Sequence, residues 1–173
     1  MWKFNKGDSS FELSPLFCLK IFKMKVEKAL LKDASCLTEL TIRSKSYWNY
    51  TKEQIESWRE DLKISAQYIS INNVYKLVLA KKIIGFYSFS SEGKESVKLD
   101  FFFVEPAFIG LGCGKKMLSD FIKRVKKLHY KAVVLDADPN AEEFYKKNGF
   151  EVIGQLESSI KNRFLPIMEL KLY

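Results

Sequence analysis

The sequence predicts an α+β fold, with strands and helices combined around one sheet, and three stretches carry that prediction. Val97 to Val104 is rich in β-branched and aromatic residues and reads as a buried strand. The chain then passes Glu105 and Pro106, runs through Gly110, Gly112 and Gly114, and enters a segment where Met117, Leu118, Phe121, Ile122, Val125 and Leu128 recur at helical spacing. Beyond it, Lys131 to Asp136 is a short strand. Asp138, Pro139 and Asn140 form a stop and helix-start signal, Ala141 to Asn148 a short helix closed by Gly149 and Phe150, and Glu151 to Gln155 a further strand.

Bulk properties fit one compact unit. A chain of 173 residues, 47% hydrophobic and 14% aromatic, can bury a full core, and its length argues for one domain. No run of about 18 apolar residues predicts a transmembrane span. Residues 24–173 read as the domain. Residues 1–23, with an apolar stretch from Phe11 to Phe22 interrupted by Glu12, Pro15 and Lys20, make a poor signal peptide. They read either as an added arm or as sequence upstream of a natural start at Met24. Three cysteines, Cys18, Cys36 and Cys113, odd in number and far apart, with the single His129, predict a reducing cytoplasm and no metal. His129 suits a helix C-terminus.

The glycine loop is the chemically pointed feature. Gly110, Gly112 and Gly114 remove side chains where backbone must bend or be approached closely, and the helix that follows offers unpaired N–H groups at its positive end. That suits a phosphorylated ligand. A Walker A loop is excluded, because Gly114 is followed by Lys115 and Lys116 and no hydroxyl. A dinucleotide fingerprint fits poorly, since the spacing is Gly-x-Gly-x-Gly and too little chain follows for a doubly wound sheet.

Two motifs together resemble the GCN5-related N-acetyltransferase (GNAT) superfamily. Its acetyl-CoA pyrophosphate loop, Arg/Gln-x-x-Gly-x-Gly/Ala, is matched by Ile109, Gly110, Leu111, Gly112, Cys113 and Gly114, with Ile109 replacing the usual polar residue. Its second motif, ending Phe/Leu-Tyr-x-x-x-Gly-Phe, is matched by Phe144, Tyr145, Gly149 and Phe150. Lys25 to Leu31 is similar to the first strand of the family, Asp33 and Ala34 to the start of the first helix, and Gly85, Phe86 and Tyr87 to the third strand. The segments Arg43 to Trp48 and Arg163 to Leu170 resemble a set of bacterial members. The resemblance implies a three-layer α/β/α arrangement around a mixed, mostly antiparallel sheet, with two central strands splayed to form a CoA cleft.

It also implies site residues. Acetyl-CoA would lie along the backbone of Phe102, Phe103 and Val104, over the Ile109 to Gly114 loop, with Lys115 in reach of its phosphates. Tyr145 would protonate the leaving thiolate, its position in the family's motif favouring that role over the alternative of a core aromatic between Phe144 and Phe150. The family often has an asparagine seven residues before that tyrosine, and this chain has Asp138 there; Asp138 and Asn140 are also good N-caps. From strand alternation, Asp100 shares a face with Phe102 and Val104 and is the candidate base, or else a solvated edge carboxylate or the ion-pair partner of a nearby lysine. Cys113 has no histidine nearby in sequence and reads as a small buried side chain rather than a nucleophile.

Arg43, Tyr47 and Trp48, which with Tyr50 form a polar and aromatic cluster, read either as an acceptor pocket or as a core anchor (Trp48, like Trp58) beside an exposed helix residue (Arg43), and Arg163 as binding an acceptor carboxylate or pairing with a structural acid. Thr51 and Gln54 make a capping box for the next helix. The formal net charge of +8 raises a nucleic-acid reading, but the lysines are spread along solvated helix faces without a binding motif. The expected partners are therefore a small-molecule or peptide amine, with no nucleic acid and no membrane; a homodimer suits the family and has no signature here. Two functions stay open: acetyl-CoA-dependent N-acetyltransfer by direct attack, or acyl-CoA binding without catalysis.

Overall fold

The computed structural model describes residues 14–160 and 162–173. Helix α1 (Pro15–Ile21) precedes β1 (Lys25–Lys28), and α2 (Ala34–Ser46), α3 (Lys52–Ser57) and α4 (Ala66–Ile71) follow. Strands β2 (Asn73–Leu79), β3 (Lys82–Glu92) and β4 (Ser96–Val104) lead to α5 (Cys113–Lys127) and β5 (Ala132–Asp136). Helix α6 (Glu142–Lys146), β6 (Glu151–Glu157) and β7 (Phe164–Lys171) complete the chain. The expected N-terminal segment falls largely on residues 1–13, outside the described residues. In α1, Cys18 and Leu19 pack against the core.

The strands form one seven-stranded sheet in the order β1-β2-β3-β4-β5-β7-β6, antiparallel except for the parallel pair β4 and β5. Helices cover both faces. On one, Cys113, Met117, Leu118, Phe121 and Val125 of α5 and Tyr145 of α6 pack on Tyr87, Phe89 and Leu99. On the other, Leu37 and Leu40 of α2 and Ile69 of α4 pack on Val74 and Phe86. Because β3 is buried on both faces from Ile84 to Phe89, it carries a continuous apolar run broken only by Ser88 and Gly85. A Cβ on Gly85 would sit 2.9 Å from Met117 Sδ and 3.0 Å from the Phe103 carbonyl oxygen, so glycine there sets how closely α5 approaches the sheet.

Local signals read from sequence match local structure. Thr51 Oγ1 accepts from the Gln54 N–H at 3.2 Å and Gln54 Oε1 accepts from the Thr51 N–H at 2.9 Å, closing the capping box. His129 follows α5 at φ 62°, the left-handed conformation that often ends a helix.

Two irregularities position the site. Strand β4 pairs with β5 only from Ser96 to Lys98, and beyond Lys98 it continues with β3 alone. The two central strands thus part, and a slot opens through the sheet. Within the β3–β4 pairing, Ser88 lies opposite Phe101 and Phe89 opposite Leu99, leaving Asp100 as the extra residue of a β-bulge. Among the described residues no helix is long and apolar enough to cross a membrane.

Candidate active site

The slot widens into a cavity of about 560 Å³ between β4, the glycine loop, the end of β5, α6 and the end of α2. Its floor is the free edge of β4, and Phe102, Phe103 and Val104 line it.

At one end lies the glycine loop. Helix α5 begins at Cys113 with Gly112 as N-cap, so no side chain caps it and no acidic residue occupies its first turn. The first helical N–H to find a carbonyl is that of Lys116, bonded to the Gly112 oxygen at 3.0 Å. The N–H groups of Cys113, Gly114 and Lys115 precede it and have no intrahelical acceptor. Gly110 and Gly112 adopt φ of +79° and +83°, and a Cβ on either would meet no protein atom within 4 Å. Bulk there would enter the cleft, which is the shape an anionic group needs to approach the backbone. Gly114 has another purpose: a Cβ would lie 3.3 Å from the Phe144 ring, so this glycine lets α5 pack on α6. Ile109 and Lys115 line the cavity, whereas Leu111 and Cys113 do not. Cys113 is fully buried, its Sγ 3.7 Å from Met24 Sδ, and burial pushes its thiol up. It is a core side chain.

Tyr145 stands over the middle of the slot. Its ring packs edge-on against Phe102, Phe144 and Phe150 at centroid distances of 6.2, 5.2 and 5.3 Å. The residue lines the cavity, and its hydroxyl makes no hydrogen bond to another described residue. Burial first, and the Asp138 charge second, push the phenol above its ordinary value, so it keeps its proton.

Asp100 lines the cavity, but strict alternation does not describe its direction. The bulge turns it to the same side as Phe101, toward α4, where its carboxylate accepts a hydrogen bond from the Tyr68 hydroxyl. Phe102 and Val104 pack instead with the α5 cluster. The expectation that the three share a face is therefore corrected. Tyr68 also lies 2.8 Å from buried Ser88 Oγ, which accepts from the Phe101 N–H at 3.2 Å, so the bulge is held by side chains. Nothing in the sequence around Tyr68 singles it out as a partner of Asp100.

A polar hub closes the other end. Asp138 caps the turn after β5, accepting from the Asn140 N–H at 3.0 Å. It pairs with Lys45 Nζ at 2.5 Å and Arg163 Nη2 at 3.2 Å, and accepts from the Tyr50 hydroxyl at 2.8 Å. Burial alone would raise its carboxyl; Lys45, the Asn140 N–H and Tyr50 outweigh that and hold it below the carboxylate range. Asn140 Nδ2 donates to Tyr50 Oη at 3.2 Å, and Lys45 Nζ lies 5.0 and 5.3 Å from the Tyr50 and Trp58 ring centroids. Asp138 and Asn140 thus bond side chains of this chain, as capping residues would. Lys45, absent from the sequence expectations, carries no local signal, because its partner is 93 residues away.

The acceptor candidates separate. Trp48 lines the cavity, and Tyr47 is 49% exposed beside it, packed edge-on at 5.0 Å. Arg43 is held by Glu105 through Nε at 3.0 Å and Nη2 at 2.8 Å, and neither Arg43 nor Arg163 is among the lining residues. Among the described residues no cluster of three or more His, Cys, Asp or Glu side chains is placed to hold a metal ion.

The chain matches the family model described as "Acetyltransferase (GNAT) domain" over residues 48–172. It is 28% identical over 101 residues to an uncharacterized N-acetyltransferase, Ycf52, of Pyropia yezoensis, and 27% identical over the same length to that of Porphyra purpurea. Each match covers 58% of this chain, and the chain spans little more than half, 57%, of these relatives' length. Among solved structures, PaiA N-acetyltransferase from Thermoplasma acidophilum in complex with coenzyme A superposes with a TM-score of 0.72 at 23% identity. That match covers 86% of this chain and 99% of the other. YncA from Salmonella typhimurium, solved with its cofactor acetyl-CoA, superposes with a TM-score of 0.64 at 20% identity over 87% and 95% of the two chains. At such identities the likeness speaks to the fold.

Proposed function

This chain belongs to the GNAT acetyltransferase family, and from that premise we propose that it transfers the acetyl group of acetyl-CoA to a primary amine by direct attack in a ternary complex. The observation that carries the proposal is the parting of β4 from β5 after Lys98, which opens one slot from the uncapped N-terminus of α5 to the Tyr145 hydroxyl. A slot of that shape suits a long ligand with an anionic head and a reactive tail.

Acetyl-CoA would supply the activated acyl group as its thioester. The N–H groups of Cys113, Gly114 and Lys115 bind the pyrophosphate, and the positive end of α5 adds to their attraction. The free edge of β4 at Phe102, Phe103 and Val104 offers backbone groups to the pantetheine arm and to the charge that develops on the thioester oxygen. Asp100 accepts the proton that the incoming ammonium must lose, directly or through water. Tyr145 Oη donates its proton to the sulfur as the carbon–sulfur bond breaks, a role supported by its place in the cavity lining. The nitrogen gains the acetyl group and gives up its second proton, which restores the Tyr145 phenol, and free CoA leaves as the thiol. A cytoplasmic location accompanies this reading.

Thermal unfolding with and without acetyl-CoA, followed by a thiol-release screen over primary amines, tests it. Stabilisation by acetyl-CoA with amine-dependent thiol release is the expected outcome. Stabilisation with no release for any amine would leave a binding module in place of an enzyme.

A further inference from the structure

The acceptor end of the cavity carries a distinctive balance of charge. Three acids line the cavity: Asp100, Asp136 and Asp138. Asp136 is paired with Lys98 at 2.8 Å, and Asp138 with Lys45 at 2.5 Å and Arg163 at 3.2 Å. Among the described residues Asp100 alone of the three has no ion-pair partner within 4 Å; it accepts from the Tyr68 hydroxyl, and Lys98, held by Asp136, feels its charge from further off. The lining cations divide as clearly. Lys115 opens α5 and Lys147 ends α6, both elements of the face that carries the glycine loop, while Lys45 of α2 is committed to Asp138. The two arginines that would greet a carboxylate are taken: Arg43 by Glu105 and Arg163 by Asp138.

The cavity also has aromatic walls. Trp48, Phe103 and Phe108 line the cavity, with buried Ser44 between α2 and β4. Phe103 belongs to the α2 face, stacked on Phe86 at 6.0 Å, the same face toward which the bulge turns Asp100.

Resting on the acetyltransferase reading above, we infer that the acceptor is a primary monoamine whose body is uncharged and flat or aromatic. Its one ammonium group meets the one unpaired acid, and its body lies against Trp48 and Phe103. A second ammonium, as on a polyamine, would find no second unpaired acid along this wall. A carboxylate beside the amine, as on a free amino acid, would find no uncommitted cation on the α2 face and would face Asp100 with like charge. Such a charge would meet a like charge or no partner, so discrimination here works by rejection as much as by attraction.

The test compares 2-phenylethylamine, phenylalanine and spermidine as acceptors for the full chain with saturating acetyl-CoA, reading thiol release. The kcat/KM for 2-phenylethylamine is expected to exceed each of the others by about tenfold or more, the scale on which single pocket contacts discriminate. Trp48→Ala should lower kcat/KM for 2-phenylethylamine roughly tenfold more than that for ethylamine; Trp48→Phe should restore most of the loss. Acetyl-CoA binding, read by thermal shift in every variant, separates two failures. If acetyl-CoA binds and spermidine or phenylalanine is preferred, or no arylalkylamine turns over, this inference is overturned while the CoA site stands. If acetyl-CoA fails to bind, the acetyltransferase reading falls and the inference falls with it.

Discussion

Removing one oxygen atom from Tyr145 separates its two roles. In Tyr145→Phe the ring keeps its contacts with Phe102, Phe144 and Phe150. The hydroxyl lost makes no hydrogen bond to a described residue, so the net value of such a bond, about 1 kcal/mol, is not at stake. Unfolding free energy should stay within about 0.5 kcal/mol of the parent. A general acid contributes roughly 10²–10⁴-fold to rate, or ~3–5 kcal/mol of barrier, and kcat should fall on that scale. Tyr87 provides the contrast. Its hydroxyl, fully buried, donates to Asp120 Oδ2 at 2.5 Å on the far side of β3 from α2. Tyr87→Phe should cost roughly 1.5–3 kcal/mol, lowering Tm by about 3–12 °C, and leave kcat within about twofold. Steady-state thiol release and thermal melts on the two variants read both quantities. Were Tyr145→Phe to melt several degrees lower with kcat nearly intact, Tyr145 would be a packing residue and the general-acid role would be refuted.

Three other perturbations bear on the cradle and the ion pairs. Gly112→Ala imposes a side chain on φ +83°, at a cost of ~1–2 kcal/mol, and sends the methyl into the cleft; acetyl-CoA affinity by calorimetry should drop about tenfold or more. Cys113→Ala should destabilise the fold modestly by leaving a small void, yet keep kcat within about threefold, and intact-mass analysis should find no acetylated protein; an acetyl-thiol would revive the nucleophile reading. Acid should loosen the fold in a defined window. Burial would raise the carboxyls of Asp33 and Asp138, but Lys76 and the Leu30 N–H around one, and Lys45 and its neighbours around the other, hold both below the ordinary value. A depressed carboxylate gives its full stabilisation above its unfolded pKa, about 4, and loses it as pH falls through the folded value. Tm should therefore stay flat from pH 7 to 5 with respect to these groups and fall below about pH 4, less steeply in Asp33→Asn.

What the sequence disclosed and concealed follows from the range of the interactions. The glycine loop, α5 and the Thr51 cap are determined by residues within a few positions of one another, and they were legible. Strand β2 was not read from residues. Its hairpin to β3 turns on Ala80 and Lys81 at φ 47° and 67°, where an Asn-Gly pair would have announced the turn. The bulge at Asp100 arises from pairing with β3 and from the contacts of Tyr68 and Ser88, 32 and 13 residues from their partners on β4, so alternation along β4 alone gives the wrong face. The Asp138 hub likewise joins Lys45, Tyr50 and Arg163 over separations of 93, 88 and 25 residues. Each of these residues was visible; their company was not.

The central claim is transfer of an acetyl group onto an amine nitrogen within this cleft. Incubation of the full chain with acetyl-CoA labelled in the acetyl group and a panel of primary amines, read by mass spectrometry, tests it most directly. Labelled N-acetyl amine formed together with free CoA, and lost in Tyr145→Phe, is the expected result. Acetyl-CoA bound and recovered intact, with no amine labelled, would contradict it.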